Sequence, residues 1–163
     1  MSLEKLFEMQ LALDRYIEEN HQLQNENLFD RKVLALLVEI GELANETRSF
    51  KFWSVKPSSE KKVILEEFVD GVHFILSLGL ECGFQIQGLK MEREPSTQDV
   101  NELFLKIYHA VSIFQMTKSL SDYQRVFEGY LQLGTLLGIE FEEMEQAYIE
   151  KNEVNYKRQN QNY

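Results

Sequence analysis

The sequence predicts an all-α fold, a bundle of about six helices that forms one domain over residues 1–163. Two observations favour helices: apolar residues recur at spacings of three and four, and no segment of useful length alternates with a period of two. A third is the scarcity of β-branched residues, which strands prefer. With 163 residues and 44% apolar side chains, the chain can bury a core without disulfides or metals.

The boundaries of the helices follow from local signals along the chain. Pro57 and Pro95 stand in polar, turn-rich stretches and divide the chain into three blocks. Serines in N-cap positions mark three helix starts: Ser59, Ser96 and Ser121. Gly83 and Gly138 mark helix ends, and residues 159–163 are predicted to form a flexible tail. We expect helices near residues 2–23, 28–49, 60–82, 98–117, 121–137 and 140–158.

Charge and cysteine content exclude several classes of protein. The chain carries 27 acidic and 17 basic side chains, a net charge of −10, which disfavours a nucleic-acid partner because such binding needs Lys and Arg against the phosphates. Its single cysteine, Cys82, excludes an internal disulfide and a multi-cysteine zinc site. No apolar run is long enough for a signal peptide or a membrane span, so we expect a soluble cytoplasmic protein without membrane partners.

The third predicted helix combines an apolar surface with a stripe of polar residues. Residues 68–80 are apolar on almost every side, so this helix should be buried all round. Five polar residues nevertheless share one of its faces: Glu67, Asp70, His73, Ser77 and Glu81. Carboxylates in a dry interior must take up protons, pair with cations or bind a metal. His73 is equally compatible with a hydrogen-bonded core position and with a pocket.

The second predicted helix carries a matching set of acidic residues, Glu39, Glu42 and Glu46. Residues three apart on a helix have Cβ atoms roughly 5 to 6 Å apart, so each Glu-x-x-acid pair can offer two carboxylates to one cation. Two facing pairs, Glu39 with Glu42 and Glu67 with Asp70, would form an all-oxygen site that suits Mg²⁺ or Mn²⁺. For Glu39 and Glu42 alone, an ordinary solvated helix face is the alternative.

The last predicted helix gathers cationic and amide side chains on one face. Lys151, Asn152, Asn155 and Arg158 follow Tyr148 at helical spacing. In so acidic a chain, this face is what an anion-binding clamp requires, because Arg chelates phosphate oxygens and Lys supplies a point charge. The alternative is that both cations merely stabilise a helix C-terminus, to which the asparagines would contribute nothing.

An aromatic segment, residues 50–54, follows the second helix and contains the only tryptophan, Trp53. Such a cluster beside a metal site can stack on a planar base. A loop that packs on the core is the alternative, and it is the more common role for these residue types.

The motifs Glu39-Ile-Gly-Glu42 and Glu67-Phe-Val-Asp70 resemble the paired acidic motifs of the all-α nucleotide pyrophosphohydrolases, the MazG-like superfamily. Residues 43–48, 50–53, 70–77 and 151–159 narrow this resemblance to the dimeric dUTPase family. The resemblance extends over about residues 9–163. It implies an all-α homodimer that cleaves dUTP, and also dUDP, to dUMP with two or three Mg²⁺ ions, for which Mn²⁺ is a possible substitute.

The resemblance also implies roles for individual residues. The metals would be held by Glu39, Glu42, Glu67 and Asp70. The phosphates would be contacted by Lys151, Asn155 and Arg158, with Asn152 nearby. The nucleoside pocket would be lined by Gln10, Trp53, His73 and Phe74. Glu42 or Glu46 could orient or deprotonate the attacking water. The family often has an asparagine shortly after the first-helix glutamine, where this chain has Leu13 and Asp14.

Three other functions remain open from the sequence. A sister pyrophosphohydrolase with another substrate such as dCTP would share the metal motif and differ only in the base pocket. A ferritin-like di-iron bundle would use Asp70-x-x-His73 and Glu18-x-x-His21, although the second pair lies in a polar stretch. A non-enzymatic dimeric partner protein would use the acidic stripe as a contact between subunits.

Overall fold

The computed structural model describes residues 2–85 and 98–163, and every regular element in these ranges is a helix, which confirms the predicted all-α fold. In chain order the helices are α1 (Leu3–Asn20), α2 (Phe29–Thr47), α3 (Lys61–Glu81), α4 (Val100–Thr117), α5 (Leu120–Leu136) and α6 (Phe141–Asn160). Within the same ranges, none of them is both long enough and apolar enough to cross a membrane. The predicted turn at Pro95 and the N-cap at Ser96 lie outside the described residues.

The helix ends differ from the predicted ones by a few residues, for local reasons. α1 stops at Asn20 instead of residue 23, because the next segment is polar and Gln22 adopts a positive φ of 57°. α5 starts earlier than predicted, because Ser119 is its N-cap and its side chain accepts a hydrogen bond from a backbone N–H of the first turn. The predicted N-cap at Ser121 is therefore wrong, and this residue lies inside the first turn of α5.

α6 runs two residues beyond its predicted end at residue 158, because its last turn is bound to α1. The Asn160 side chain accepts a hydrogen bond from the Tyr16 hydroxyl, and Gln159 Oε1 lies 2.9 Å from His21 Nε2. The helix thus includes the first two residues of the predicted tail, and the flexibility of residues 161–163 stays a prediction.

α3 is the central helix and packs against α1, α2, α5 and α6. Most of residues 68–79 are buried, as the apolar sequence predicts. A glycine permits the close approach of α5, since a Cβ added to Gly71 would lie 2.1 Å from the Tyr130 hydroxyl. That hydroxyl donates to the Phe68 carbonyl at 2.7 Å. Because α1, α2 and α6 all pack against α3, most of the side chains predicted to be functional face a common region.

Candidate active site

Three carboxylates from two helices meet beside the centre of the bundle. Glu39 on α2 and Glu67 and Asp70 on α3 offer oxygen atoms that all lie within 4.8 Å of one another. The spacing of three residues puts Glu67 and Asp70 on the same face of α3, and the packing of α2 on α3 brings Glu39 to them. In the part of the chain that the structure describes, this is the one group of acidic, histidine or cysteine side chains close enough to share a metal ion.

These three carboxylates are difficult to ionise together. Burial raises the pKa of Glu39 to about 8, with added repulsion from Asp70 and Glu42. Burial and then the charge of Asp70 raise the pKa of Glu67 in the same way. Burial also raises the pKa of Asp70, although Lys151 opposes the shift. A divalent cation at the cluster would compensate this repulsion, because it stabilises the ionised form of every carboxylate around it.

The hydrogen bonding of the cluster is incomplete in a way that fits a cation. Glu39 Oε2 and Glu67 Oε2 are buried and have no hydrogen-bond partner among residues 2–85 and 98–163. A buried carboxylate oxygen without a donor is unfavourable. A hard cation would satisfy both atoms, and ligands that are all oxygen suit Mg²⁺. The residues present therefore fit the metal that the acidic motifs predict.

Glu42 and Glu46 follow Glu39 along α2 but have different surroundings. Glu42 lies outside the group of three, yet its charge raises the pKa of all three carboxylates. Glu46 accepts a hydrogen bond from the Ser59 hydroxyl, and its carbonyl accepts one from the Ser59 N–H at 3.0 Å. Ser59 is therefore not the predicted cap of α3, which begins after Glu60. Ser59 thus fastens the loop before α3 to Glu46.

α6 brings basic side chains to the carboxylates. The Lys151 ammonium lies 2.9 Å from Asp70 Oδ1, and Lys151, Asn155 and Arg158 line one cavity with Asp70. Asn152 is buried instead and lies beside the Tyr148 hydroxyl. Burial raises the pKa of the Tyr148 hydroxyl, and the Asn152 amide opposes that rise. The predicted phosphate-binding set is thus divided, with three side chains at the cavity and one in the core.

One cavity of about 280 Å³ joins the candidate sites. Gln10 from α1 and His73 and Phe74 from α3 line it, and so do Glu39 and Asp70. Side chains predicted to hold metal, phosphate and nucleoside therefore surround the same space.

Trp53 lies outside this cavity. Its side chain is 64% exposed and makes edge-on ring contacts with Phe50 and Phe52. The alternative that this loop packs on the core is wrong, because Phe52 is 93% exposed. A contact between Trp53 and the nucleoside stays a prediction.

A polar network in the cavity wall was missed by the sequence reasoning. Gln10 Nε2 donates to Asp14 Oδ1 at 2.8 Å, while Gln10 Oε1 lies 2.8 Å from the Tyr148 hydroxyl and 2.7 Å from His73 Nδ1. Asp14 also accepts a hydrogen bond from the Ser77 hydroxyl at 2.7 Å. The available signal was the spacing of Gln10 and Asp14, which puts both on one face of α1.

The histidines do not form the pairs that a di-iron bundle needs. His73 Nδ1 faces Gln10, and His21 is exposed and hydrogen-bonded to Gln159. The acidic group described above contains neither ring. The described residues therefore give no support to the ferritin-like alternative.

Comparisons with known proteins identify the family. A sequence model of the dUTPase family matches residues 2–163, nearly the whole chain. A search of curated proteins gave no match. The family is all-α, as is the part of the chain that the structure describes. The chain belongs to the all-α dUTPase family, and its activity is that of a dUTP diphosphatase, a hydrolase that acts on nucleoside triphosphates.

Proposed function

We propose that the chain hydrolyses dUTP, and also dUDP, to dUMP in the cavity between α1, α2, α3 and α6, with divalent cations held by Glu39, Glu42, Glu67 and Asp70. The observation that carries this proposal is the carboxylate cluster at the cavity, which has buried oxygens without partners. A triphosphate is repelled by such a cluster unless cations compensate both sets of negative charge. We also propose a cytoplasmic location, because a chain with a single cysteine fits a reducing compartment.

The four carboxylates supply only oxygen ligands, which suits two or three Mg²⁺ ions, with Mn²⁺ as a possible substitute. Mg²⁺ held by these carboxylates would supply positive charge against the phosphates and would lower the pKa of a water molecule at the site. Glu42 is assigned to orient or deprotonate the attacking water, because its charge acts on all three carboxylates of the cluster and no hydroxyl among the described residues donates to its carboxylate. Glu46 is the second choice, since Ser59 already occupies its carboxylate.

Lys151, Asn155 and Arg158 are assigned to the phosphates. The Lys151 ammonium lies 2.9 Å from Asp70 Oδ1, and its other N–H donors can reach a phosphate oxygen in the same cavity. Asn155 and Arg158 line the cavity on the following turns of α6. Asn152 is assigned a supporting role, because it is buried.

Gln10, His73 and Phe74 are assigned to the nucleoside. An amide and an imidazole can bind the polar edge of a base, while the Phe74 ring offers an apolar surface to the base or the deoxyribose. Trp53 is a further candidate, and it reaches the nucleoside only if its loop moves toward the cavity.

We also propose that two copies of the chain form a homodimer. Large apolar side chains are exposed on α2, on α4 and in the loop after α2: Leu34, Val38, Phe52, Trp53, Val55 and Leu105. α2 and α4 are neighbours, since the Tyr108 hydroxyl donates to the Leu37 carbonyl at 2.9 Å. A second copy would remove this apolar surface from water. Light scattering should give twice the 19.2 kDa of one chain, and a single-chain mass would contradict the dimer.

The direct test is pyrophosphate release from a panel of deoxynucleoside triphosphates, with Mg²⁺ and with EDTA. We expect dUTP to exceed dCTP and dTTP in kcat/KM by at least about a hundredfold, and we expect no turnover in EDTA. Glu67→Gln should lower activity by orders of magnitude in a folded protein, whereas Glu66→Gln, at an exposed neighbouring position, should not. Turnover that survives EDTA would contradict the metal site, and equal turnover of dUTP and dCTP would contradict the base assignment.

A further inference from the structure

At the wall of the cavity, three side chains hold both ends of the Gln10 amide. Nε2 donates to Asp14 Oδ1 at 2.8 Å, and Oε1 lies 2.8 Å from the Tyr148 hydroxyl and 2.7 Å from His73 Nδ1. Gln10 is 3% exposed, so water does not compete for these partners. The amide is therefore held by the protein before any ligand enters.

Asp14 determines which end of the amide faces it. An ionised carboxylate has only acceptors, so it attracts the NH₂ group of Gln10 and repels the carbonyl oxygen. The hydroxyl and the imidazole on the other side can face either end. Burial raises the pKa of Asp14, and Lys32 opposes this most strongly, followed by the Ser77 hydroxyl. The Lys32 ammonium lies 3.9 Å from Asp14 Oδ2.

The direction of the amide in turn sets the tautomer of His73. Because Gln10 Oε1 can only accept, the nearby His73 Nδ1 must carry the proton. Burial lowers the pKa of His73 to about 3, so the ring is neutral and Nε2 carries no proton. Nε2 is buried and has no hydrogen-bond partner in the described ranges. The Tyr148 ring, stacked at a centroid distance of 4.2 Å, keeps the imidazole in its plane.

We propose that Asp14 is a positioning residue: it fixes the orientation of Gln10 and the tautomer of His73, and these two residues select the base. This inference rests on the nucleoside pocket proposed above. Gln10 and His73 both line the cavity. The groups that remain without a partner for a base are a donor, the second N–H of Gln10 Nε2, and an acceptor, His73 Nε2. Uracil presents the complement, the O4 acceptor beside the N3–H donor. Cytosine presents a 4-amino donor beside the N3 acceptor, which would leave two buried mismatches. An amide free to rotate would accommodate either base.

Asp14→Asn tests the inference, because an asparagine amide can face either end of Gln10. We expect the ratio of kcat/KM for dUTP to that for dCTP to fall by about tenfold or more, mainly through faster hydrolysis of dCTP. The ratio for dUTP to dTTP should not change, because thymine has the same O4 and N3–H edge as uracil. A pocket that had merely become loose would admit both bases. Glu81→Gln is the matched control, since it removes a carboxylate 2.8 Å from Lys32 without contact to Gln10, and it should change neither ratio.

The tautomer of His73 can be read without any activity measurement, by ¹⁵N NMR of the imidazole nitrogens. At neutral pH we expect Nδ1 protonated and Nε2 unprotonated in the unaltered protein, and a mixture of tautomers in Asp14→Asn. A protonated Nε2 in the unaltered protein would overturn the inference even if the variant fails to fold. Unchanged discrimination against dCTP in a folded Asp14→Asn would overturn it as well, and would leave the dUTPase assignment intact. Equal hydrolysis of dUTP and dCTP by the unaltered enzyme would instead refute the proposed uracil pocket itself.

Discussion

Glu39 permits a test of the acidic cluster that needs no substrate. Its pKa is raised from 4.5 to about 8, first by burial and then by Asp70 and Glu42. The pKa of Glu39 is higher in the folded state than in the unfolded state, so ionisation of this residue opposes folding. The resulting loss of folding free energy begins as the pH rises past about 4.5 and is complete only above about pH 8. Glu39→Gln removes this penalty, so the metal-free variant should be more stable than the unaltered chain at neutral pH.

The size of the effect follows from the shift in pKa. At about 1.36 kcal/mol per pKa unit, the full shift corresponds to at most about 4.8 kcal/mol. Glu39 is only half-buried, and screening by water reduces this to about 1 to 2 kcal/mol. For a chain of this size, we expect Tm in EDTA to rise by roughly 3 to 6 °C at about pH 8, and by about half as much at about pH 6.

Thermal unfolding followed by circular dichroism at both pH values measures this gain. Glu66→Gln, at an exposed position on α3, corrects for the loss of one charge from an acidic chain. Addition of Mg²⁺ should reverse the order of stability, because a ligand stabilises only the folded form that binds it. If Glu39→Gln raised Tm in EDTA by no more than Glu66→Gln does, the proposed repulsion within the carboxylate cluster would be refuted.

Further changes test the packing, the phosphate contacts and the end of α6. Gly71→Ala should lower the free energy of unfolding in urea by about 2 to 3 kcal/mol, because its Cβ would meet the α5 tyrosine hydroxyl. Gly129→Ala, whose Cβ has an ordinary contact at 3.4 Å, should raise it by up to about 1 kcal/mol, and equal effects would contradict this packing. Lys151→Met should lower kcat/KM for dUTP by about a hundredfold or more. The Mg²⁺ concentration for half-maximal activity should fall as well in this variant, because no ammonium competes for Asp70. If neither kcat/KM nor this Mg²⁺ concentration changed, a phosphate contact from Lys151 would be excluded. Hydrogen exchange over residues 151–160 should slow with a nonhydrolysable dUTP analogue and Mg²⁺, and unchanged exchange would count against phosphate contacts from α6.

The fold was predictable because its signals are local. Each helix shows its buried face in the spacing of apolar residues, and α3, apolar on almost every side, shows that it is central. The same helical geometry brings Glu67 and Asp70 to one face without any knowledge of the rest of the fold. Approximate helix positions and the paired carboxylates of α3 therefore depend on residues close in sequence.

The remaining features of the site depend on contacts between distant segments. Nothing near Glu46 in the sequence indicates that Ser59 occupies its carboxylate, because the intervening loop decides where the chain returns. Trp53 shows the same limit, since an aromatic residue in a loop can be buried or exposed and only the fold decides. Asp14 was read as a departure from the family pattern, and its bond to Gln10 becomes meaningful only when α3 and α6 close the network from the other side.

The two parts of the cavity differ in how many of their polar groups already have a partner within the protein. At the carboxylates, buried oxygens of Glu39 and Glu67 have no donors, so the charge must come from what binds there. Around Gln10, nearly every donor and acceptor already has a partner, which leaves one N–H and the bare nitrogen of His73. The carboxylate cluster binds any nucleotide that arrives with cations, because it recognises only their charge. The hydrogen-bond network around Gln10 cannot rearrange to accept a base whose donors and acceptors do not match it. Substitutions among the carboxylates should therefore lower the hydrolysis of all nucleotides alike, and substitutions in the network should change the ratios between them.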